Sequence, residues 1–547
     1  MILAGALLVY TVGNQRVGLW DRDEPRYAEC SREMLESGDW VVPRFLGQWR
    51  LEKPPLIYWC QAAAMEVMGV TPAAARLPSA LAAVATGTIL ALVVRKYAGP
   101  RRALWSTFIF CASGLTIGAA KFCNTDSILT AFVIGGQACL AVLYATHRAK
   151  RPSPVWAAII FWALCGLAGL TKGPQVLGMH AVTLAILLLL DVGPQMRRFS
   201  AWLEAARWWA GLRPLIGVPV LVAVVSPWLI LVHQRAPGFV MGLFRMAGNH
   251  ALTSMDGHGE PPGYHLLLIF GTFFPWSLLL PATIAIAWRN RRMAQIRFAM
   301  ATVAGPWLLM EFVRTKLPFY VLPSFGGLSF LAADALIRCA RGQYNDLKQK
   351  AFFATIVAWC IAGLGIGAAP WFAVLASRDL PWAGMIGFSI AAAIYVAIVV
   401  LRLVQGRLWR AAMVMGVGSS FLVILFYGTI LPSFDFLRLS QRLAAHLPHG
   451  SDIRVAMAGY TEPSLAFYQG GGAREKFENY LMKTDPRSWY EWIVIDDPDW
   501  REVDPQRRAL LKVIDSEQGI VYAATGRAQT VLVLEKLPFI YSDVNVK

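Results

Sequence analysis

Three carboxylates, Asp21, Asp23 and Glu24, crowd into four residues near the start of the chain, with Arg22, Arg26 and Tyr27 beside them. Carboxylates at such density can accept a proton or stabilise developing positive charge, and neighbouring cations can hold an anionic group. The stretch PRYAECSREMLESGDW reads as a helix opened by Pro25 and stopped at Gly38. Further on, EKPPLIYW suggests a second short helix after Pro54 and Pro55, with Tyr58 and Trp59 at a polar–apolar boundary. Another carboxylate, Asp126, stands just after the turn KFCNT, and groups able to meet an anion recur at Lys53, Arg245, Lys316 and Tyr320.

The elements that must position these groups are membrane spans. The 547 residues are 56% hydrophobic and 16% charged, against about 25% charged in an ordinary soluble domain. With a mean hydropathy of +0.48, the chain has too little polar surface to cover several water-soluble cores. Disordered, collagen-like and disulfide-scaffold classes are excluded by the same figures. The 21 Trp and 16 Tyr suit a protein with two membrane–water interfaces. Eight cysteines form no CxxC pair and read as small buried hydrophobes, with a Cys30–Cys60 pairing as the alternative.

Runs of about 20 apolar residues fall at about 1–13, 73–94, 103–120, 126–145, 155–171, 174–191, 214–233, 264–288, 297–313, 318–337, 351–376, 383–401 and 411–431. About thirteen spans are therefore expected. The first is short, so either the native start is upstream or the bilayer thins there. It lacks a basic n-region and a small-residue cleavage site, which argues against a cleaved leader. With the N-terminus cytoplasmic, roughly 22 Lys and Arg fall on inner loops against seven on the short outer connections, a strong positive-inside pattern. That distribution accounts for the net charge of +17 without nucleic acid.

Three hydrophilic segments then lie outside: residues 14–72, residues 234–263 and the tail from 432 to 547. In the tail, IRVAMAGY (453–460), WIVIDD (492–497), GIVYAAT (519–525) and TVLVLEK (530–536) read as buried strands of a small α/β domain, separate from the 1–431 membrane domain. It holds neither GxGxxG nor a P-loop. The span centres are almost empty of charge, whereas a transporter buries ionisable groups near the midplane. Chemistry belongs at the outer interface, which favours an enzyme.

DEPRYAE (23–29), EKPPLIYW (52–59), KFCNTDSILTAF (121–132), GLTKGP (169–174) and KLPFYVLPS (316–324) together resemble the 4-amino-4-deoxy-L-arabinose lipid A transferases. The resemblance extends into the tail, so it covers essentially the whole chain. These are GT-C glycosyltransferases related to protein O-mannosyltransferases. The resemblance implies a polytopic α-helical GT-C fold with a C-terminal periplasmic α/β domain, in the bacterial inner membrane. It implies transfer of 4-amino-4-deoxy-L-arabinose from undecaprenyl phosphate to a lipid A phosphate at the periplasmic face, with inversion and no cofactor required. The segment MDGHGEPPGY matches only loosely, and acceptor choice is expected to reside there.

Breaking a glycosyl–phosphate bond builds positive charge at the anomeric carbon and leaves a phosphate to be steadied. Asp23 is the first candidate catalytic residue: it could orient the acceptor, take a hydroxyl proton, or pair with an amino group on the sugar. A salt bridge to Arg22 or Arg26 is the plainer reading. Asp126 should come to the same height, with helix capping as the alternative; the resemblance to an acidic residue in this loop favours function. Glu24 joins as a second-rank catalytic candidate. Lys53, Arg245 and Tyr320 are candidates for the donor phosphate, with Lys316, Tyr27 and Arg26 nearby in role; Tyr320 could equally be an aromatic-belt residue. His250, His258 and His265, with Asp256, Glu260 and Glu52, read first as loop or interfacial residues, and alternatively as a structural Zn²⁺ site. The alternative function keeps the fold and changes the substrates to another polyprenyl-phosphate sugar and a protein or glycan hydroxyl. A lipid-linked-sugar flippase would need polar groups through the membrane thickness, which the spans lack.

Overall fold

The computed structural model describes residues 1–21, 23–252, 259–343, 350–375, 380–477, 479–522 and 527–538. The chain opens with α1 (Ile2–Thr11), and the first hydrophilic segment then carries α2 (Asp23–Ser37), a hairpin of β1 (Arg44–Phe45) and β2 (Gln48–Trp49), and α3 (Leu56–Met68). The bundle continues with α4 (Pro72–Ala98), α5 (Pro100–Cys111), α6 (Gly114–Ala120), α7 (Thr125–Arg148), α8 (Val155–Lys172) and α9 (Gln175–Val192). After α10 (Phe199–Ala206) come α11 (Pro214–Arg235), α12 (Phe239–Leu252), α13 (Tyr264–Thr272), α14 (Leu280–Arg289), α15 (Ala294–Phe312) and α16 (Phe325–Ala340). Three more long helices follow, α17 (Lys350–Ala368), α18 (Trp382–Val404) and α19 (Leu408–Leu425).

Among the described residues nine helices are long and apolar enough to cross a membrane, or eleven if each of two bent pairs is one span. The expected thirteen included two more. Helix α1 has only ten residues, about 15 Å at 1.5 Å per residue, half of a hydrocarbon core of about 30 Å. Helix α15 carries Arg297 and Glu311 in its end turns and Pro306 within, and is not among the nine. The bent pairs are α5 with α6, at 61°, and α13 with the Trp276–Arg289 helix, at 113°. Their breaks meet, for the Gly114 amide donates to the Phe274 carbonyl at 2.7 Å. Backbone groups freed in one broken span are thereby satisfied by the other, as a membrane interior demands. A Cβ on Gly114 would come 3.1 Å from the Gly271 carbonyl oxygen, so glycine permits this approach.

The spans differ in what covers them. The Pro318–Ala340 span is 89% buried and α7 78%, whereas α11 is 17% buried and faces outward. The two enclosed helices hold the bundle centre, and a candidate residue lies at one end of each.

Beyond the last span, α20 (Leu439–Ala445) leads into a five-stranded sheet of order β4-β3-β5-β7-β6. Its strands are β3 (Val455–Ala458), β4 (Ala473–Glu475), β5 (Trp492–Asp496), β6 (Leu511–Val521) and β7 (Arg527–Lys536), with α21 (Pro463–Gln469) between β3 and β4. Strand β3 is parallel to β4 and β5, and β7 is antiparallel to β5 and β6. The buried strands β3 and β5 lie where alternation and apolarity place them. Strand β6 begins at Leu511, earlier than expected, because it is an edge strand whose polar residues mask its periodicity.

Candidate active site at one end of the bundle

Asn124, not Asp126, caps α7: its side-chain oxygen accepts from the amides of Asp126 and Ser127 at 2.8 and 3.1 Å. The Asp126 carboxylate is thereby free, and it meets the Lys172 ammonium at 2.6 Å. Lys172 is the last residue of α8, where Gly173 at φ +90° turns the chain into Pro174. The same ammonium lies 4.0 Å from the ring centroid of Tyr320, in the tight turn that precedes α16. One lysine therefore ties the ends of α7, α8 and the α16 span. Sequence reasoning left Lys172 as a generic outer cation, since a lysine at a span end ordinarily snorkels; the signal was its place in GLTKGP.

Asp23 opens α2, is exposed, and has no hydrogen bond or ion pair among the described residues. It stands close enough to Lys172, Tyr320 and Tyr27 to act on each electrostatically. Lys53 is likewise near Lys172 and Asp126, with Arg50 and Glu52 beside it. Burial and the neighbouring Lys172 lower the Lys53 ammonium to about 8. Arg50, buried, pairs with Glu52 at 2.8 Å and sits over Tyr27 at 5.7 Å. Tyr27 is packed 6.0 Å from Tyr58, and burial pushes its hydroxyl well above 10. Asp23, Asp126, Lys53 and Tyr320 thus converge on Lys172.

Glu24 faces the other way. Fully buried, it accepts from Arg76 through Nε at 2.9 Å and Nη2 at 2.5 Å, from the Cys123 amide at 2.6 Å and from the Trp20 amide at 2.8 Å. Arg76 in turn donates to the carbonyls of Asn14, Val17 and Gly18 at 2.7–2.9 Å. Four donors occupy the Glu24 carboxylate, which joins the start of α2 to α4 and to the turn before α7 and lies turned away from the Lys172 cluster. Arg76 was missed because it stands in the first turn of an expected span, where a cation ordinarily snorkels to the interface.

The other candidates are dispersed. Lys316, buried, donates to the carbonyls of Glu260 and Val313 at 2.9 and 2.7 Å, which takes two of its three N–H groups. Arg245 is exposed on α12, and Arg26 is half-buried on α2; neither forms an ion pair among the described residues. Helix α12 covers the first hydrophilic segment, for a Cβ on Gly242 would meet Leu51 at 2.9 Å. Of the proposed metal loop, His258 and Asp256 lie outside the described residues. His265 is engaged by Glu311 at 3.2 Å and the Leu317 carbonyl at 3.1 Å. The described group with three ligand types in reach of one another is His446, Asp515 and Glu517, where Arg442 already neutralises Glu517 at 2.9 Å. All eight cysteines, Cys30 and Cys60 included, are free thiols.

The C-terminal segment braces the site from behind. Asp21 accepts from the Ser464 amide at 3.0 Å and from its hydroxyl, and Tyr468 accepts from the Leu19 amide at 2.8 Å. Burial, with Glu462 close by, pushes the Asp21 carboxyl well above the ordinary carboxylate range.

The family model for dolichyl-phosphate-mannose-protein mannosyltransferases matches residues 1–240. An undecaprenyl phosphate-alpha-4-amino-4-deoxy-L-arabinose arabinosyl transferase of Pseudomonas savastanoi is 30% identical over 349 residues, 62% of this chain and 61% of that relative. Its counterpart in Edwardsiella ictaluri is 29% identical over 401 residues, 72% of this chain and 67% of the relative. In structure, ArnT from Cupriavidus metallidurans bound to undecaprenyl phosphate superposes with a TM-score of 0.75, at 21% identity and 97% coverage of both chains. The chain is similar in sequence to the 4-amino-4-deoxy-L-arabinose transferases and shares their GT-C fold. The alignment to the first of these curated relatives spans about three fifths of their length. An oligosaccharyltransferase from Archaeoglobus fulgidus shares the architecture more distantly, at a TM-score of 0.52 and 10% identity over 90% of this chain. Among the described residues the multi-pass chain carries a five-stranded sheet after its last span and a polar cluster at the end of the bundle that holds Asp126.

Proposed function

We propose that this protein is an inverting glycosyltransferase moving 4-amino-4-deoxy-L-arabinose from undecaprenyl phosphate to a lipid A phosphate. The observation that carries the reading is the convergence of Asp23, Asp126, Lys53 and Tyr320 on Lys172. The relatives' names supply the sugar and the carrier. The positive-inside charge pattern supports a periplasmic position for this end of the bundle, in the inner membrane and with the N-terminus cytoplasmic. Lys172, aligned by Asp126 and Tyr320, and Lys53 grip the donor phosphate and stabilise the charge it acquires on leaving. An oxygen of the acceptor phosphate attacks the anomeric carbon from the opposite side. The carbon–oxygen bond to the carrier breaks, and its electron pair leaves with undecaprenyl phosphate. Asp23 faces the positive charge at the anomeric carbon or the sugar ammonium. An acceptor phosphate is already ionised, so this route needs no strong base, and side-chain cations take the part a metal would otherwise play.

The test is transfer in vesicles holding the purified protein, undecaprenyl-phosphate aminoarabinose and lipid A, read by mass spectrometry. A mass gain matching aminoarabinose on a phosphate is expected; an unmodified lipid A defeats the reading. A second reading, with a protein hydroxyl as acceptor, is favoured by the mannosyltransferase match over residues 1–240, which include Asp23, Lys53, Asp126 and Lys172. It predicts a modified peptide in the same assay.

Lys53 makes the reaction pH-dependent. With its ammonium lowered to about 8, the cation is present below pH 8 and lost above, so kcat/KM for the donor should fall as pH passes that value. Lys53→Gln should remove this limb and lower kcat/KM by about tenfold at neutral pH, the worth of one charge-assisted contact. The stability effect has the opposite sign. The unfolded lysine binds its proton up to about 10.4, so the unfolded chain holds more protons above pH 8 and this group adds stability as pH rises. A pH–rate profile without a limb near 8 in the unaltered protein would count against the role of Lys53.

A further inference from the structure

A cavity of about 280 Å³ runs from the middle of the bundle to the end remote from Asp126. Helices α4, α7, α15 and α16 form it, and its lining along α7 runs from Ile134 to Arg148. From the first of these residues to the last is about 21 Å at 1.5 Å per residue, somewhat more than one leaflet of a hydrocarbon core of about 30 Å. The wall is apolar for most of that depth, with Leu90, Val94, Phe298 and Phe330 among its residues.

Polar and charged groups collect at the far end. Tyr97 lines the cavity, its hydroxyl buried without a hydrogen-bond partner among the described residues, and the Lys96 ammonium lies 5.4 Å from its ring. Arg148 lines the same end, half-exposed and 4.0 Å from Asp191. That carboxylate also pairs with Arg297 at 2.7 Å and accepts from Tyr144 at 2.8 Å. One carboxylate shared by two arginines leaves a surplus positive charge, to which exposed Arg95 and Lys96 add. An apolar slot one leaflet deep, a cationic mouth at headgroup level and a hydroxyl awaiting a partner describe complementarity to one kind of molecule.

We propose that this cavity binds an acyl chain of an anionic phospholipid from the leaflet at the Arg148 end, with the lipid phosphate against Arg148 and Lys96. The site is separate from the sugar-transfer centre, from which Tyr144 is removed by eighteen residues of α7, about 27 Å. It does not depend on which sugar or acceptor that centre uses.

The test is native mass spectrometry of the full chain released from nanodiscs of phosphatidylglycerol and phosphatidylethanolamine in equal amounts. One phosphatidylglycerol per protein should survive release in preference to phosphatidylethanolamine. Ala141→Phe, which fills the slot, should remove it, while Arg148→Gln and Lys96→Gln should each cut the preference by about fivefold, the worth of one juxtamembrane cation. Sugar transfer at saturating donor should persist in the two charge variants. Equal retention of both phospholipids, or unchanged retention in Ala141→Phe, overturns the proposal. Displacement of the bound lipid by undecaprenyl phosphate would overturn it too, assigning the slot to the carrier's tail. Should Ala141→Phe fail to fold, the two charge variants decide, since both alter exposed side chains.

Discussion

Asp23→Asn is expected to lower sugar transfer by about a thousandfold, the middle of the range for losing a group that acts on the reacting atoms, while the protein folds and inserts normally. The carboxylate is exposed and has no ion pair or hydrogen bond among the described residues. Replacing it with an isosteric amide removes charge and little else, so the stability change should stay within about 0.5 kcal/mol. Single-turnover transfer and thermal unfolding in the same detergent measure the two effects separately. Wild-type turnover in this variant would remove Asp23 from the mechanism. The contrast with Asp126→Asn sharpens the point, because that change also leaves the half-buried Lys172 ammonium without its carboxylate 2.6 Å away. There stability and activity should fall together, whereas at Asp23 only activity moves.

The apolar spans were legible because a bilayer imposes a length that a sequence displays directly. Asp126 and Tyr320 could be singled out as residues of unusual type at span ends. What joins them could not, since Lys172 is 46 residues from Asp126 and 148 from Tyr320. Only the packing of α7, α8 and the α16 span brings three such ends to one point. Asp23 and Glu24 show the limit at its narrowest. Two adjacent acids are nearly equivalent on paper, yet neighbouring helical residues point about 100° apart, so one faces the open centre and the other the interior. Which is which depends on Arg76, 52 residues away. The bent pairs were likewise read as plain spans, because satisfaction of the Gly114 amide by the Phe274 carbonyl is a tertiary event.

Glu24→Ala should be the most damaging single change for the fold, at about 3–5 kcal/mol, the cost of leaving a buried partner charge uncompensated. The Arg76 guanidinium would keep its three carbonyls but lose the Glu24 carboxylate, and the amides of Trp20 and Cys123 would lose their acceptors. Because those amides lie just before Asp23 and Asp126, the damage falls on both sides of the centre at once. Chemical unfolding in detergent would show the loss, and transfer per folded molecule would fall with it. Glu24→Gln separates this from catalysis: the amide can still accept from one or two of the four donors, so stability should be partly restored and turnover should follow stability. A Glu24→Gln protein with full stability and no turnover would return Glu24 to the chemistry. The double variant Glu24→Gln, Arg76→Met, which buries no charge, should be more stable than Glu24→Ala alone. It should nonetheless transfer poorly, since the carbonyls of Asn14, Val17 and Gly18 would no longer be gathered and the start of α2, with Asp23, would lose its fixed height above Lys172.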